Sequence, residues 1–431
     1  MEQEANGVRN TSVWQQVLGL ARTVVEKVVL DEAAGVLVVS VRPSKGAARR
    51  CGHCGRRAGL YDQGEGRRRW RALDVGELRC FLEANAPRVR CPAHGVTVAQ
   101  VPWARHGAGH TRAFDDTVAW LAVQCSKSAV TELLRVAWRT VGAIVTRVQA
   151  DIDATVDRLA DLRRIGIDEI SYKRGHRYLT VVVDHDTGRL VWAAAGRDEA
   201  TLRSFFDLLG EERCAQITHV SADSAPWIAR AVTERCPGAI QCADPFHVVA
   251  WATDTLDVVR REAWNAASGR RRVDPATGRF GIADGAARSI KRARYALWKN
   301  PENLTEHQAA KLAWIAKTDP RLYRAYLLKE GLRHAFAVKG EAGKEALDAW
   351  TSWARRCRIP AFVELQRKIV KHRAAIDATL DHGLSNGLIE STNTKIRLLT
   401  RIAFGFRSPD ALIALAILAL GGRRPVLPGR N

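Results

Sequence analysis

Asp168, Asp223 and Glu390 are the residues whose types and settings most directly permit chemistry. Asp168 sits in Ile165-Gly166-Ile167-Asp168-Glu169-Ile170, a short apolar run that predicts a buried strand. Asp223 ends a second such run, Ile217-Thr218-His219-Val220-Ser221-Ala222. Glu390 lies in a stretch from Asn386 to Arg397 that predicts a helix. A charge at the end of a buried strand is unfavourable unless it is paired or holds metal. Two strand-borne aspartates and one helix-borne glutamate are what a two-metal phosphoryl-transfer site requires. Carboxylate oxygens suit Mg²⁺, with Mn²⁺ as a substitute, and two ions can clamp the attacking and leaving oxygens of a phosphodiester. On the predicted helix, Asn386, Glu390, Asn393 or Thr394, and Arg397 recur on one polar face, while Leu388, Ile389, Thr392 and Ile396 lie away from it.

Asp244-Pro245-Phe246-His247 follows a further short strand. His247 can donate to a substrate phosphate or a leaving oxygen. The alternative is a helix start in which Asp244 caps, Pro245 takes the first turn and His247 is merely exposed. A second constellation is Cys51-x₂-Cys54 with Cys91-x₂-His94. Three thiolates and one imidazole complete a tetrahedral set for one structural Zn²⁺, with His53 and Cys80 as rival ligands. The chain has nine cysteines, an odd number, unevenly spread. That favours a reduced cytosolic protein with a metal site over a disulfide framework.

The elements that must position these groups fill 431 residues of 46% hydrophobic composition, enough for two to four domains. Net charge is +21, which favours a polyanionic partner. The arginines also cluster, at Arg67, Arg68, Arg69 and Arg71 around Trp70 and at Arg270, Arg271 and Arg272. The first cluster either grips phosphates and stacks Trp70 on a base or is a solvated charged turn. The acidic start Met1-Glu2-Gln3-Glu4 lacks a secretory signal's apolar segment, and the longest apolar run, Ala411 to Leu420, is shorter than the roughly 20 residues of a membrane span. A cytoplasmic location without membrane association is expected, with that run as a buried helix.

Val24 to Arg42 alternates as a β-hairpin with Gly35 in its turn, within an N-terminal segment 1–44. Residues 45–100 read as a zinc-binding finger in which Arg79 to Arg90 supplies a strand pair. From Thr111 three helical stripes follow: Phe114, Val118, Leu121 and Ala122; Val130, Leu133 and Leu134; Val141, Ile144, Val145 and Val148. Residues 105–160 are thus either a helix-turn-helix, its last helix turning Arg139, Thr140, Thr146 and Arg147 to DNA, or a plain connecting bundle. From 163 to 250, three antiparallel strands give way to alternating helices and strands, the ribonuclease-H-like order. Residues 255–380 have no strand pattern and carry Trp264, Trp298, Trp314, Trp350 and Trp353. They read as a helical insertion in an α/β catalytic domain spanning 161–431.

These motifs together resemble a bacterial insertion-sequence transposase of the ISL-three family. The similarity runs through the two-pair finger, the helix-turn-helix, Gly166-Ile167-Asp168-Glu169, Ser221-Ala222-Asp223, Asp244-x-x-His247 and, most specifically, Asn386-Gly387-x-x-Glu390-x-x-Asn393. Trp298 to Thr305 resembles the family's helical insertion. His94 stands where such fingers commonly have cysteine. The resemblance implies a ribonuclease-H-like Asp-Asp-Glu transposase with Asp168, Asp223 and Glu390 as Mg²⁺ ligands. The expected partners are double-stranded DNA, as terminal inverted repeats and target, and a second copy of the chain or a larger synaptic assembly. Asn393 and Arg397 are then candidate DNA contacts beside the site. The competing readings are a DNA-binding regulator with an inactive nuclease-like core and a nuclease without strand transfer.

Overall fold

The computed structural model describes residues 11–223, 225–268 and 285–430; the Arg270, Arg271 and Arg272 cluster lies outside the described residues. Two compact units emerge, Met1–Arg158 with Lys395–Asn431, and Leu159–Thr394.

In the first unit the alternating valines form the expected hairpin. After α1 (Thr11–Val17), β1 (Thr23–Asp31) and β2 (Val36–Pro43) pair antiparallel. Gly35 supplies the left-handed turn between them at φ +60°. Then come β3 (Gly59–Asp62), β4 (Arg67–Arg71), β5 (Arg79–Asn85), β6 (Arg88–Cys91) and β7 (Gly95–Val98). Arg79 to Arg90 does hold two strands, but they do not pair with each other. β5 joins a sheet of order β1-β2-β5-β4, and β6 joins β3-β6-β7. β2 pairs parallel with β5, so the N-terminal hairpin shares a sheet with strands from the finger segment.

The Arg67–Arg71 run is a strand rather than a turn. Its Trp70 packs inward, 2% exposed and edge-on to Trp103 at 5.5 Å, within a core of Leu37, Val39, Val41 and Leu82. A ring so placed has no free face for a base, which corrects the stacking expectation. Trp70→Ala is expected to destabilise the protein by about 3–5 kcal/mol, read as a lowered denaturant midpoint. Unchanged stability with weakened DNA binding would restore the stacking role.

Three helices follow: α2 (Arg112–Gln124), α3 (Lys127–Leu134) and α4 (Trp138–Asp153). Thr111 and Ser126 cap the first two through their hydroxyls. Phe114, Val118, Val130, Val141, Ile144, Val145 and Val148 are buried. Leu133 departs from its expected stripe at 64% exposure, because the buried line of α3 runs through Lys127 and Val130 and Leu133 lies beside it.

The second unit opens with an antiparallel meander of β8 (Arg164–Lys173), β9 (Arg177–Asp184) and β10 (Leu190–Ala195). α5 (Glu199–Leu209), capped by Asp198, and α6 (Glu211–Cys214) lead to β11 (His219–Ala222), α7 (Pro226–Arg235) and β12 (Ile240–Ala243). The mixed sheet has the order β10-β9-β8-β11-β12, with β8, β11 and β12 mutually parallel. Ile165, Ile167, Val182, Phe205, Phe206 and Val220 fill one core against it. Gly166 is glycine for a steric reason: a Cβ there would stand 2.9 Å from His185 Nε2 and 3.0 Å from Val183 Cγ2.

Only helices follow among the described residues: α8 (Pro245–Ser268), α9 (Gly285–Arg292), α10 (Arg294–Trp298), α11 (Glu306–Thr318), α12 (Pro320–Val338), α13 (Gly340–Arg356), α14 (Pro360–Lys371) and α15 (Arg373–His382). They share a core around Leu328, Leu332 and Trp350, whose indole donates to the Leu328 carbonyl at 2.7 Å. The chain ends with α16 (Gly387–Ile402) and α17 (Pro409–Leu420). α17 is the expected buried apolar helix, but it packs on α4 and α2 in the first unit rather than on the second. No helix among the described residues is long and apolar enough to cross a membrane.

Candidate active site and metal centre

Register brings the acidic residues together. In the parallel ladders Ile167 lies beside Ala222, and Ala222 beside Ala243. The next residues, Asp168 on β8 and Asp223 and Asp244 just past the ends of β11 and β12, therefore stand at the same level along three neighbouring strands, which run about 4.8 Å apart. Burial pushes the Asp168 carboxyl up to about 6 against the Glu169 backbone N–H, and the Glu169 and Asp223 charges add to the rise. Asn393 of α16 donates to Asp168 Oδ2 at 2.8 Å. Glu390 lies one turn earlier on that helix, half-buried and on the same side as Asn393. Arg397 is exposed.

Asp244 is an N-cap and more. It accepts from the Phe246 and His247 backbones, and its Oδ1 accepts from the Asn386 backbone at 3.2 Å, joining β12 to the start of α16. Its Oδ2 lies 2.7 Å from His247 Nδ1, while His247 Nε2 lies 3.5 Å from Asp223. The Asp244 hydrogen bond pushes His247 up to about 9 against its burial, with Asp223 and Asp168 adding to the rise. The rise favours the imidazolium, one side anchored to Asp244 and the other facing Asp223. The Asp-x-x-His spacing pointed to His247; the reach of Asp244 to Asn386 is a long-range contact with no sequence signal.

Asn393 Oδ1 and both side-chain polar atoms of Asn386 are buried without hydrogen-bond partners. Orphaned acceptors beside clustered carboxylates offer an oxygen-rich setting of the kind hard divalent cations take. Asp168, Asp223 and Glu390 do not converge within 4.8 Å as a single-ion cluster; among the described residues only the cysteine–histidine set does. The donors present are carboxylate and amide oxygens, the type a hard divalent cation takes.

That cysteine–histidine set is compact. Cys51 Sγ and Cys91 Sγ lie 3.7 and 3.6 Å from His94 Nδ1, and Cys54 Sγ lies 3.8 Å from Cys91 Sγ. A zinc tetrahedron with Zn–S bonds of about 2.3 Å has edges of about 3.8 Å. These four residues fit Zn²⁺. The rivals do not join them. Cys80 is fully buried in the sheet, where burial pushes its thiol up to about 11. His53 instead stacks its ring on His94, with centroids 5.2 Å apart. None of the nine cysteines is in a disulfide.

The basic residues divide. Arg67 and Arg69 share Glu83 at 2.8 and 2.7 Å, Arg68 donates to the Ala108 carbonyl, and Arg71 is buried against Asp74. On α4, Arg139 and Thr146 are exposed and Thr140 is half-buried. Arg147 turns inward to the buried Asp115 at 3.0 Å, which removes it from an outward-reading face. Helical spacing carries the signal: position 147 is three residues from Ile144 and beside Val148, at the edge of the core stripe.

Comparison with known proteins agrees with this architecture. A model for the zinc-finger of the transposases of IS204, IS1001, IS1096 and IS1165 matches residues 47–94. The helix-turn-helix domain of transposase family ISL3 matches 99–149, and the ISL3 transposase catalytic model matches 165–416. The chain is 68% identical, over 98% of each chain, to a transposase for insertion sequence element IS1557 from two strains of Mycobacterium tuberculosis. It is 26% identical to a transposase for insertion sequence element IS1001 from Bordetella parapertussis, over 80% of this chain and 82% of that one. With three matched segments in order and a relative alike from end to end, the chain belongs to the ISL3 family of insertion-sequence transposases, with a DNA-binding helix-turn-helix ahead of an Asp-Asp-Glu catalytic domain.

Proposed function

We propose that the second unit is a ribonuclease-H-like core that cuts the ends of its element and joins them to target DNA. The observation that carries this reading is the level placement of Asp168 and Asp223 on adjacent parallel strands, with Asn393 fastening the Glu390 helix to Asp168. Asp168, Asp223 and Glu390 would hold two Mg²⁺ ions, which when bound activate the nucleophile and stabilise the leaving oxygen. Water is the nucleophile in cleavage, and the freed 3′-hydroxyl is the nucleophile in joining. Asn393 orients Asp168. His247, held cationic by Asp244, faces the space where a phosphate oxygen would lie and can donate to it.

The first unit would bind the terminal inverted repeats through α4, using Arg139, Thr140 and Thr146. The strand arginines around Trp70 would supply phosphate contacts only with the N–H groups that Glu83 and Ala108 leave free. Arg397, exposed on α16, is a further phosphate contact. Two ends must be held at once, so a homodimer or larger synaptic assembly follows, acting in the cytoplasm where the DNA lies.

The test is an assay of the full chain with Mg²⁺ on labelled element ends and a plasmid target. Nicked ends and end–plasmid joints are expected. Nicks without joints would leave a nuclease, and neither product, with end binding intact, would leave a regulator. Because α17 packs on α4, end binding is to be measured on the full chain.

A further inference from the structure

A cleft of about 1020 Å³ opens in the first unit, lined by Lys127, Trp138, Arg139, Thr146, Phe406 and Arg407 among others. Lys127 is its unusual member. The residue is 5% exposed, and its ammonium makes no hydrogen bond or ion pair with any described residue. It lies 4.3 Å from the Phe406 ring centroid and 5.5 Å from that of Trp138. Even the small space beside Gly142 is close to it: a Cβ there would stand 3.8 Å from Nζ. Aromatic faces offset about 2 kcal/mol of an ammonium's desolvation, which leaves a buried cation short of a counter-charge.

The backbone supplies more positive potential at the same place. Lys127 is the first residue of α3, Trp138 the first of α4, and the Ser408 cap of α17 also lines the cleft. The cap position of α4 is Ala137, which offers no side-chain acceptor; the Thr140 N–H turns back to the Ala137 carbonyl at 2.9 Å, and the Trp138 and Arg139 N–H groups are left for an anion. One acidic side chain, Asp410, lines the cleft, and Ser408 Oγ donates to it at 3.1 Å. Against it stand Lys127, Arg139 and Arg407.

We propose that this cleft seats one phosphate of the DNA backbone, held by Lys127, Arg139 and Arg407 at the open start of α4. The inference rests on the reading that the first unit binds element ends. Arg139 then positions the duplex rather than reading a base, and the segment before α17 is part of the DNA-binding surface. The occupant is a duplex phosphate because the cleft borders the exposed Thr146 face of α4 on a chain of net charge +21.

The experiment uses the full chain and end duplexes in which single phosphates are replaced, one at a time, by neutral methylphosphonates. One replacement per end is expected to weaken binding by about tenfold, the range of a charged hydrogen bond. Lys127→Met and Arg407→Gln should each weaken binding of the unmodified duplex by about as much, on end and scrambled sequence alike, and lower the salt slope by about 1. Neither variant should be further weakened by that particular methylphosphonate. Should Lys127→Met fail to fold, Arg407→Gln, on an exposed side chain, carries the same test. Variants that bind normally, or that keep the parent's full methylphosphonate sensitivity, overturn the phosphate seat. A parent chain that binds no duplex overturns the reading beneath it, and the proposal with it.

Discussion

Asp168→Ala, Asp223→Ala and Glu390→Gln each lose at least about a thousandfold in end cleavage while binding end duplex within about twofold of the parent. A site that works by clamping two ions fails when one ligand is missing, whereas duplex affinity comes from phosphate contacts spread over many cations. Asn393→Ala separates holding a ligand from being one. It removes the 2.8 Å hydrogen bond to Asp168 but no carboxylate, and the expected loss is about 10–100-fold, as for groups that orient a metal ligand. Single-turnover cleavage at saturating DNA, beside gel-shift binding, reads both quantities. A carboxylate variant that cuts at the parent rate leaves the site, and an Asn393 variant as inactive as Asp168→Ala would promote Asn393 from orienting residue to essential ligand.

One zinc per chain is expected, and stripping it should unfold the β3-β6-β7 sheet of the first unit. The sheet β3-β6-β7 has 3 short strands and little core of its own, so the metal must supply much of its folding free energy. Structural zinc contributes about 10 kcal/mol or more in such settings at neutral pH. Cys51→Ser should abolish bound zinc and broaden or erase the first unit's unfolding transition. Cys125→Ser, which changes a half-buried thiol outside the cluster, should keep both zinc and transition. Metal analysis with calorimetry decides the matter; a Cys51→Ser chain that retains the metal, or a metal-free chain that melts like the parent, would sink the assignment.

Much of this was readable from residue order. The valine alternation around Gly35, the short apolar runs ending near Asp168 and Asp223, and the paired knuckles all act locally, through side-chain period and ligand spacing. The failures share a physical origin in long-range packing. Trp70 among arginines looked like a nucleic-acid contact, yet strand pairing with β5 puts it opposite Leu82 and turns it into the core. Arg147 looked outward until the buried Asp115 claimed it. The apolar run ending at Leu420 identified a helix but not its docking partner. A helix apolar on every side has no face that points to one, and only the fold shows that it lies on α4. Asp244 was legible as a cap, while its bond to Asn386 needed the whole helical insertion to close first.

The parallel pairing of β2 with β5 has a kinetic consequence. These strands are distant in sequence, and Cys51 and Cys54 lie on the chain between them, while Cys91 and His94 follow just after β5. A parallel pair of this kind forms late, because the entropy of closing its loop must be spent before any contact rewards it. Metal capture by the four ligands would draw the start and end of that same loop together in advance. Zinc bound there would therefore act on the order of assembly as well as on the finished fold: it would turn a slow, non-local strand encounter into a nearly local one and shorten the time during which the unpaired edge of β2 stands open to other chains.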